Sequence, residues 1–111
     1  MRSLRNYDAE IRDTVHHRYA YRFDFDVMHP YMIRSFEPFF RSGNCLELGC
    51  FKGDFTQRLM LHFDDLTCIE ASGEAVAEAR SRTCARVTYI HSSFESAVLP
   101  KLFDNIVLTH V

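Results

Sequence analysis

The chain has 111 residues, of which 47% are hydrophobic and 25% charged, so its composition is that of a globular protein and its length allows one domain at most. Its formal net charge is -2 and its basic residues are interleaved with acids, which argues against a nucleic-acid-binding surface. Because the N-terminus holds no signal-peptide core and no apolar run approaches the roughly 18 residues of a membrane span, we expect a cytoplasmic protein without a membrane segment.

The first predicted elements lie in an N-terminal segment, residues 1–41, whose composition differs from that of the rest. This segment holds seven of the eleven arginines and a dense series of aromatic side chains. The composition changes near Ser42 and Gly43. We therefore divide the chain into an N-terminal helical and aromatic segment, residues 1–41, and a second part, residues 42–111.

Two helices are predicted in the N-terminal segment. Apolar residues at intervals of four weakly indicate a helix over residues 7–21. The stretch FDFDVMHP then alternates apolar and acidic residues and closes on a proline, which favours an extended or turn conformation up to His29. A second helix is expected over residues 30–41, with a cost or a kink at Pro38.

After residue 43, short apolar runs alternate with helical segments. The predicted strands are residues 45–48, 66–69, 87–90 and 103–109, each apolar enough to be buried on both faces of a parallel sheet. Asp54 is the expected N-cap of the helix after the first strand, and Ser72 that of an alanine-rich helix after the second. This order predicts an α/β fold with a Rossmann-like, doubly wound parallel sheet that looks incomplete, with the first four strands.

The four cysteines are Cys45, Cys50, Cys68 and Cys84, and no two of them form a C-x-x-C pair. Most of them lie in or beside apolar runs. This spacing favours reduced thiols in the core over a disulfide framework or a zinc site. We therefore expect no metal.

The first strand-to-helix loop, within CLELGCFKGDF at residues 45–55, lies where doubly wound sheets bind ligands. Gly49 and Gly53 allow a sharp turn and a close approach of the backbone to a ligand. The loop lacks the lysine and hydroxyl of a P-loop, and its glycines are spaced unlike the dinucleotide fingerprint. Glu47, two residues before the first glycine, would repel a pyrophosphate and tolerate a cation.

Glu70 ends the second predicted strand, LTCIE. An acid in this place accepts hydrogen bonds from both hydroxyls of a ribose. Together with Glu47 and the two glycines, it suggests a nucleoside cofactor that lacks a pyrophosphate and carries positive charge. The simpler interpretation of the same residues is a pair of turn glycines and a solvated strand end.

Residues 42–111 resemble the cofactor-binding part of class I S-adenosylmethionine-dependent methyltransferases. The first motif of that family, acid-x-Gly-x-Gly-x-Gly, reads here Glu47-Leu48-Gly49-Cys50-Phe51-Lys52-Gly53, with Phe51 in place of the middle glycine. IHSSFES matches the segment beside adenine after the third strand, and FDNIVLTHV matches the fourth strand. The resemblance implies S-adenosylmethionine as cofactor, S-adenosylhomocysteine as product, and a cofactor site at Glu47, Gly49, Cys50, Phe51, Gly53, Glu70, Ala71, Ser93 and Phe94.

The resemblance also implies in-line transfer of a methyl group, with residues 1–41 on the lid or substrate side. The aromatic N-terminus is compatible with a small-molecule acceptor, which is the acceptor that we expect. Such a transfer depends mainly on positioning the acceptor, so a general base matters only when the acceptor loses a proton. His110, at the end of the fourth strand, is the candidate catalytic residue, and a positional or substrate-contact role is favoured for it over proton transfer because the sequence names no orienting partner. Two alternatives stay open: a truncated or non-catalytic nucleoside-binding module, and a NAD-dependent oxidoreductase, which Glu47 and the glycine spacing disfavour. No nucleic-acid partner is expected, and the acceptor and oligomeric state are open.

Overall fold

The computed structural model describes residues 5–12, 24–83 and 85–109 of the chain. Its elements, in chain order, are α1 (Tyr7–Arg12), α2 (Phe25–Phe36), a 3-10 helix (Glu37–Phe39), β1 (Cys45–Leu48), α3 (Asp54–Leu59), β2 (Leu66–Glu70), α4 (Gly73–Arg82), β3 (Val87–His91) and β4 (Asn105–Leu108). The predicted alternation of strands and helices in the second part of the chain is confirmed. Among the described helices, none combines the length and apolar character that crossing a bilayer requires.

The strands form one sheet in the order β3-β2-β1-β4, and every neighbouring pair is parallel. In this register Glu47 of β1 lies beside Cys68 of β2 and Val107 of β4. The chain moves outward from β1 through β2 to β3 and then returns to the opposite side of β1. The strand order therefore reverses at β1, and the crevice in which such sheets bind ligands lies at its carboxyl end.

The strands differ in burial according to their place in the sheet. Every residue of β2 and all but the last of β1 are buried, as predicted for strands covered on both faces. The same prediction is wrong for β3, where only Val87 is buried, and for β4, where Ile106 and Leu108 are exposed while Val107 faces the core. An apolar sequence does not distinguish a central strand from an edge strand, because that difference depends on which strands lie beside it in the sheet.

The core joins one face of the sheet to the helices. Its buried members are Ile33, Cys45, Cys50, Phe55, Leu59, Phe63, Leu66, Cys68, Ala79, Val87 and Val107. Phe55 of α3 is central to the helical side, since its ring meets the ring of His29 edge-on at 5.0 Å and that of Phe36 at 6.1 Å. Both partners belong to α2, so the N-terminal segment contributes to the same core as the sheet.

The extended conformation predicted up to His29 is wrong, because α2 already begins at Phe25. Asp24 caps this helix by accepting a hydrogen bond from the Asp26 N–H over 3.0 Å, and the acid that seemed to alternate in a strand is therefore an N-cap. Pro30 lies inside α2 instead of opening it. The stacking of His29 on Phe25, with ring centres 4.5 Å apart, accompanies this early start.

The predicted helix over residues 30–41 also ends earlier than expected. The α-helix stops at Phe36, and Pro38 lies in the 3-10 helix that follows, so the proline ends the regular helix rather than kinking it. Phe40 then packs against Phe63 with ring centres 4.9 Å apart. Of the predicted helix over residues 7–21, the structure describes residues 7–12 as α1, and residues 13–21 lie outside the described residues.

The caps of the two helices after β1 and β2 differ in how well the sequence predicted them. Ser72 is the N-cap of α4, as expected, and its hydroxyl accepts from the Ala75 N–H over 3.2 Å. The expected cap of α3 is wrong by one position. Gly53 is the N-cap, and Asp54 is the first helical residue, where its carboxylate pairs with Arg82 at 3.0 Å.

Candidate functional site

The loop after β1 passes through three left-handed backbone conformations. Gly49, Phe51 and Gly53 have φ angles of 79°, 52° and 88°. The Gly49 N–H donates to the Ile69 carbonyl over 2.8 Å, which extends the β1–β2 ladder, and the Gly53 N–H donates to the Cys50 carbonyl over 3.0 Å. The sharp turn that the glycines predict is present, and Phe51 is the residue for which its conformation is costly.

Glu70 connects the end of β2 to this loop. Its Oε1 accepts a hydrogen bond from the Phe51 N–H over 2.9 Å, and its Oε2 accepts one from the Ser72 N–H over 2.9 Å. The residue is 9% exposed, so it is not a solvated strand end. A carboxylate oxygen that accepts one hydrogen bond still has a lone pair, and Glu70 can therefore accept from a ligand hydroxyl as well.

Ser72 joins the end of β2, the start of α4 and α1. Besides capping α4, its hydroxyl donates to a carboxylate oxygen of Asp8 in α1. The same oxygen accepts from the Glu74 N–H over 3.2 Å, so a negative charge lies at the N-terminus of α4, where the helix dipole favours it. Ser72 therefore connects α1 to Glu70, because it bonds both Asp8 and Glu70.

Glu47 lies beneath the loop with no exposed surface. Its Oε1 accepts from the Thr56 hydroxyl over 2.5 Å and from the Cys68 thiol over 3.4 Å. Its Oε2 is also buried, and no hydrogen-bond partner for it is found among the described residues. A buried carboxylate with one oxygen unsatisfied is costly, which makes this oxygen the strongest indication of a missing ligand or proton.

The electrostatics of Glu47 follow from this burial. Burial raises the pKa of Glu47 from 4.5 to about 7, the hydrogen bonds from Thr56 and Cys68 oppose that rise, and the charge of Glu70 adds to it. The carboxyl group therefore exchanges its proton near neutral pH. A cation placed at Oε2 would favour the ionised form.

Three thiols of the described residues are buried and free, those of Cys45, Cys50 and Cys68, and Cys68 donates to Glu47. Burial, with a smaller contribution from Glu47, raises the pKa of Cys45 to about 12. The pKa of Cys68 is raised by its hydrogen bond with Cys50 and by burial. Both thiols stay protonated, and within the described ranges no His, Cys, Asp and Glu side chains are grouped to hold a metal. Cys84 lies outside the described residues.

Charged side chains tie the outer side of the loop to α4. Arg82 donates to Asp54 over 3.0 Å and to the Lys52 carbonyl over 3.4 Å, and it lies 3.5 Å from Glu78. The Lys52 ammonium lies 3.7 Å from Glu78 and 5.5 Å from the centre of the Phe51 ring. These groups are partly exposed, so each pair stabilises the fold by about 1 kcal/mol at most, but together they fix the course of the loop.

Gly53 has a packing role besides its turn. A Cβ built there would lie 3.0 Å from the Cα and 3.1 Å from the Cβ of Ala79 in α4. Backbone cannot move aside as a flexible side chain can, so the close approach of the loop to α4 requires glycine at this position. The motif predicted the role of Gly53 in the turn. Its contact with Ala79 is seen only in the structure.

The remaining predicted residues lie near the end of β3 or outside the described chain. The His91 ring nitrogen Nε2 is 3.1 Å from the Ala71 carbonyl, which joins the residue after β2 to the end of β3. Ser93 is half-buried, and Phe94 is 38% exposed. His110 lies outside the described residues, so its catalytic role stays a prediction.

The structure thus places Gly49, Phe51 and Glu70 together where the strand order reverses, with Glu47 buried in β1 two residues before Gly49. Sequence reasoning missed Thr56, because a threonine in a predicted helix carries no sign that its hydroxyl reaches the preceding strand. It also missed the second role of Ser72, whose backbone N–H binds Glu70. The sequence indicated only that Ser72 is the N-cap of α4.

One protein family, described as Nodulation protein S (NodS), has a sequence profile that matches residues 17–111 of the chain. Nodulation protein S from Rhizobium tropici is 36% identical over 70 residues. The matched region covers 61% of this chain and 29% of that protein.

The chain is also similar to solved structures of methyltransferases. The crystal structure of the N-methyltransferase NodS from Bradyrhizobium japonicum WM9 in complex with S-adenosyl-L-homocysteine aligns with a TM-score of 0.73 and 25% identity, covering 89% of this chain and 54% of that one. The glycopeptide N-methyltransferase MtfA complexed with S-adenosyl-L-methionine aligns with a TM-score of 0.63 and 27% identity, covering 82% and 44%. The predicted Rossmann-like α/β fold class is confirmed. The chain spans between 29% and 54% of the length of these three relatives.

Proposed function

The chain belongs to the Nodulation protein S (NodS) family, and from this membership we propose that the whole protein transfers a methyl group from S-adenosylmethionine to an amine nitrogen of a small-molecule acceptor. The resemblance to class I S-adenosylmethionine-dependent methyltransferases is confirmed by this family and by its solved structures. Nitrogen as the acceptor atom is supported by two relatives that are described as N-methyltransferases. The activity remains a proposal for the whole protein, since the chain covers only part of each relative.

The observation that carries the proposal is the unsatisfied Oε2 of Glu47 beneath the loop after β1. A buried anionic oxygen without a protein partner suits a ligand that brings a positive charge. The α-ammonium group at the methionine end of S-adenosylmethionine is such a charge. At the other side of the same loop, the Glu70 carboxylate suits the two hydroxyls of a ribose.

These two acids also argue against the oxidoreductase alternative. A dinucleotide would place a pyrophosphate at the loop after β1, where the carboxylate of Glu47 would repel it. That loop offers the carboxyl group of Glu47 and a half-buried Phe51 in place of the middle glycine. The residues present therefore fit an S-adenosyl nucleoside better than NAD.

When bound, S-adenosylmethionine supplies a methyl group on a positively charged sulfur, and the transfer removes that charge. The chain's own contribution is to bind and orient the nucleoside, through Glu70 and the backbone of the loop, so that the methyl group points to the acceptor. An amine acceptor that arrives unprotonated needs no base for the displacement itself, so the proposal does not depend on His110.

We also propose that residues 1–41 lie on the acceptor side of the site. In support of this placement, Asp8 of α1 accepts from the Ser72 hydroxyl, and the Ser72 N–H donates to Glu70, so the start of α1 lies close to Glu70. A cytoplasmic location is proposed as well, on the charged N-terminal sequence. Neither proposal depends on the other.

The test is isothermal titration of S-adenosylhomocysteine into the full-length protein, with NAD as the control ligand. We expect the nucleoside to bind and NAD not to bind. Binding of NAD alone would overturn the proposal in favour of the oxidoreductase. A second assay follows transfer of a labelled methyl group from S-adenosylmethionine to a panel of small amines. Nucleoside binding with no transfer to any amine would favour the non-catalytic binding module.

A further inference from the structure

The two oxygens of Glu47 are treated very differently by the protein. Both donors in the pocket, the Thr56 hydroxyl and the Cys68 thiol, point to Oε1, at 2.5 Å and 3.4 Å. Oε2 is buried, and the described part of the chain offers it no hydrogen bond. A carboxyl group can rotate about the bond that joins it to the side chain. A contact in the protein must therefore fix which oxygen accepts the hydrogen bonds and which oxygen has none.

Thr56 is the stronger of the two donors. It has no exposed surface and lies in α3, a helix of only six residues. The hydroxyl of a helical threonine can bond a carbonyl three or four residues earlier in its own helix. Thr56 lies in the first turn of α3, where those carbonyls belong to the N-cap Gly53 and to Lys52 before it, and its hydroxyl donates to Glu47 of β1. The hydroxyl therefore connects α3 to Glu47.

We propose that Thr56 is a positioning residue, which turns Glu47 so that Oε2 faces the positively charged methionine end of the cofactor and keeps Glu47 ready to bind it in the ionised form. The inference rests on the proposed function, because it needs a cationic cofactor at the loop after β1. It adds a residue that lies outside the motif, nine positions after Glu47. Cys68 is the weaker partner in the same arrangement.

Within the described ranges, few other groups near Glu47 can take part in its titration. From β1 and the loop come Cys45 and Cys50, from β2 come Cys68 and Glu70, from β3 comes Tyr89, and β4 contributes Val107, which does not titrate. The pKa of Tyr89 is raised to about 12, first by burial, so it stays neutral with the thiols. From the side of α2, His29 packs on Phe55, the neighbour of Thr56 in α3. Glu70 is therefore the principal charge that Glu47 meets.

The expected pH dependence follows from which form of Glu47 binds. A cationic ligand requires the ionised carboxylate, so affinity should fall below the pKa of Glu47, by about tenfold per pH unit. The Thr56 hydroxyl favours the ionised form. Its removal should therefore move this acid limb of the binding profile to higher pH, by about one unit for the loss of a hydrogen bond to a charged group.

The experiment is titration of S-adenosylhomocysteine into the full-length protein across the pH range on either side of neutrality. Thr56→Val removes the hydroxyl at nearly constant shape, and Thr56→Ser is the matched control that restores it. Cys68→Ala removes the weaker donor and provides a second variant if Thr56→Val does not fold. Each titration is repeated in two buffers of different ionisation enthalpy, which gives the number of protons released on binding.

We expect the acid limb to move to higher pH in Thr56→Val, to return in Thr56→Ser, and to move by a smaller amount in Cys68→Ala. Glu47→Gln should lose both the limb and the proton release. A Thr56→Val protein that binds more weakly at every pH, with the limb unmoved, would overturn the positioning role and leave the proposed function intact. A limb that survives in Glu47→Gln would overturn it as well. A folded wild-type protein that binds no nucleoside at any pH would refute both proposals.

Discussion

The carboxylate of Glu70 accepts the backbone N–H of Phe51 over 2.9 Å, so the residue that ends β2 also holds the loop that follows β1. The sequence suggested only that Glu70 would bind a ribose. The structure shows a task that the sequence did not suggest, since this bond holds the left-handed backbone of Phe51 in place. Substitutions at Glu70 must be designed to tell these two tasks apart.

We expect Glu70→Ala to weaken the binding of S-adenosylhomocysteine by about 1–3 kcal/mol, because a charge-assisted acceptor is lost. The comparison is an analogue without the two ribose hydroxyls, titrated into both proteins. If Glu70 accepts from the ribose, the analogue loses affinity for the wild type and loses little more in the variant. An equal loss for both ligands would mean that Glu70 acts only by holding the loop.

The conformation of Phe51 predicts an unusual order of two substitutions. With φ at 52°, alanine pays the left-handed penalty and glycine does not, so Phe51→Gly should be more stable than Phe51→Ala by about 1 kcal/mol. Urea unfolding of the two variants measures the difference. The matched pair is at Gln57, an exposed residue of α3, where glycine should be less stable than alanine by about 1 kcal/mol. The same order at both positions would contradict the left-handed conformation of Phe51.

Gly53→Ala should destabilise the fold by about 2–4 kcal/mol, since it adds a strained φ of 88° to a 3.0 Å contact with the backbone of Ala79. Gly73→Ala is the control. There a new Cβ would meet only the His91 ring, at 3.1 Å, and a side chain can move, so we expect stability within about 1 kcal/mol of the wild type. Thermal or urea unfolding compares the two. Tolerance of alanine at position 53 would show that the loop can separate from α4.

The raised pKa of Glu47 predicts how stability changes with pH. The folded protein keeps this proton up to about pH 7, whereas the unfolded chain loses it near 4.5, so the folded state binds more protons between these values. Stability from this group is therefore complete below pH 4.5 and is lost as pH rises to 7, by about 3 kcal/mol in total.

Glu47→Gln has no proton to lose, and the difference in unfolding free energy between it and the wild type should change by this amount across the interval. Urea unfolding without cofactor, at steps of pH through the interval, measures it. A difference that stays constant over the interval would mean that Glu47 is already ionised when buried.

The sequence was sufficient for those parts of the fold that depend on local patterns. Short apolar runs located all four strands, and Ser72 located the start of α4. It misplaced the start of α2, because Asp24 lies in an alternating stretch that favours an extended or turn conformation, whereas in the structure it caps a helix. It also overestimated the burial of β3 and β4, since position in a sheet is set by strand order and not by the composition of the strand.

The candidate site was predicted where a motif marks it and missed where the function depends on contact. Glu47, Gly49 and Glu70 were predicted as site residues from their spacing along the chain. The reach of Thr56 to Glu47 was not, because a hydroxyl nine residues away becomes a neighbour only through the turn between β1 and α3. Likewise, nothing in the sequence indicated that Glu70 would bind the Phe51 backbone.

Ser72 carries a consequence for how this chain can vary. Its backbone donates to Glu70, its hydroxyl accepts from Ala75, and the same hydroxyl donates to Asp8. Alanine would keep the first bond and lose the other two, and asparagine or aspartate would keep the cap but bring a bulkier group, or a second charge, against Asp8. In a saturation-mutagenesis library, position 72 should therefore accept very few replacements, and those that survive should be sensitive to what stands at position 8.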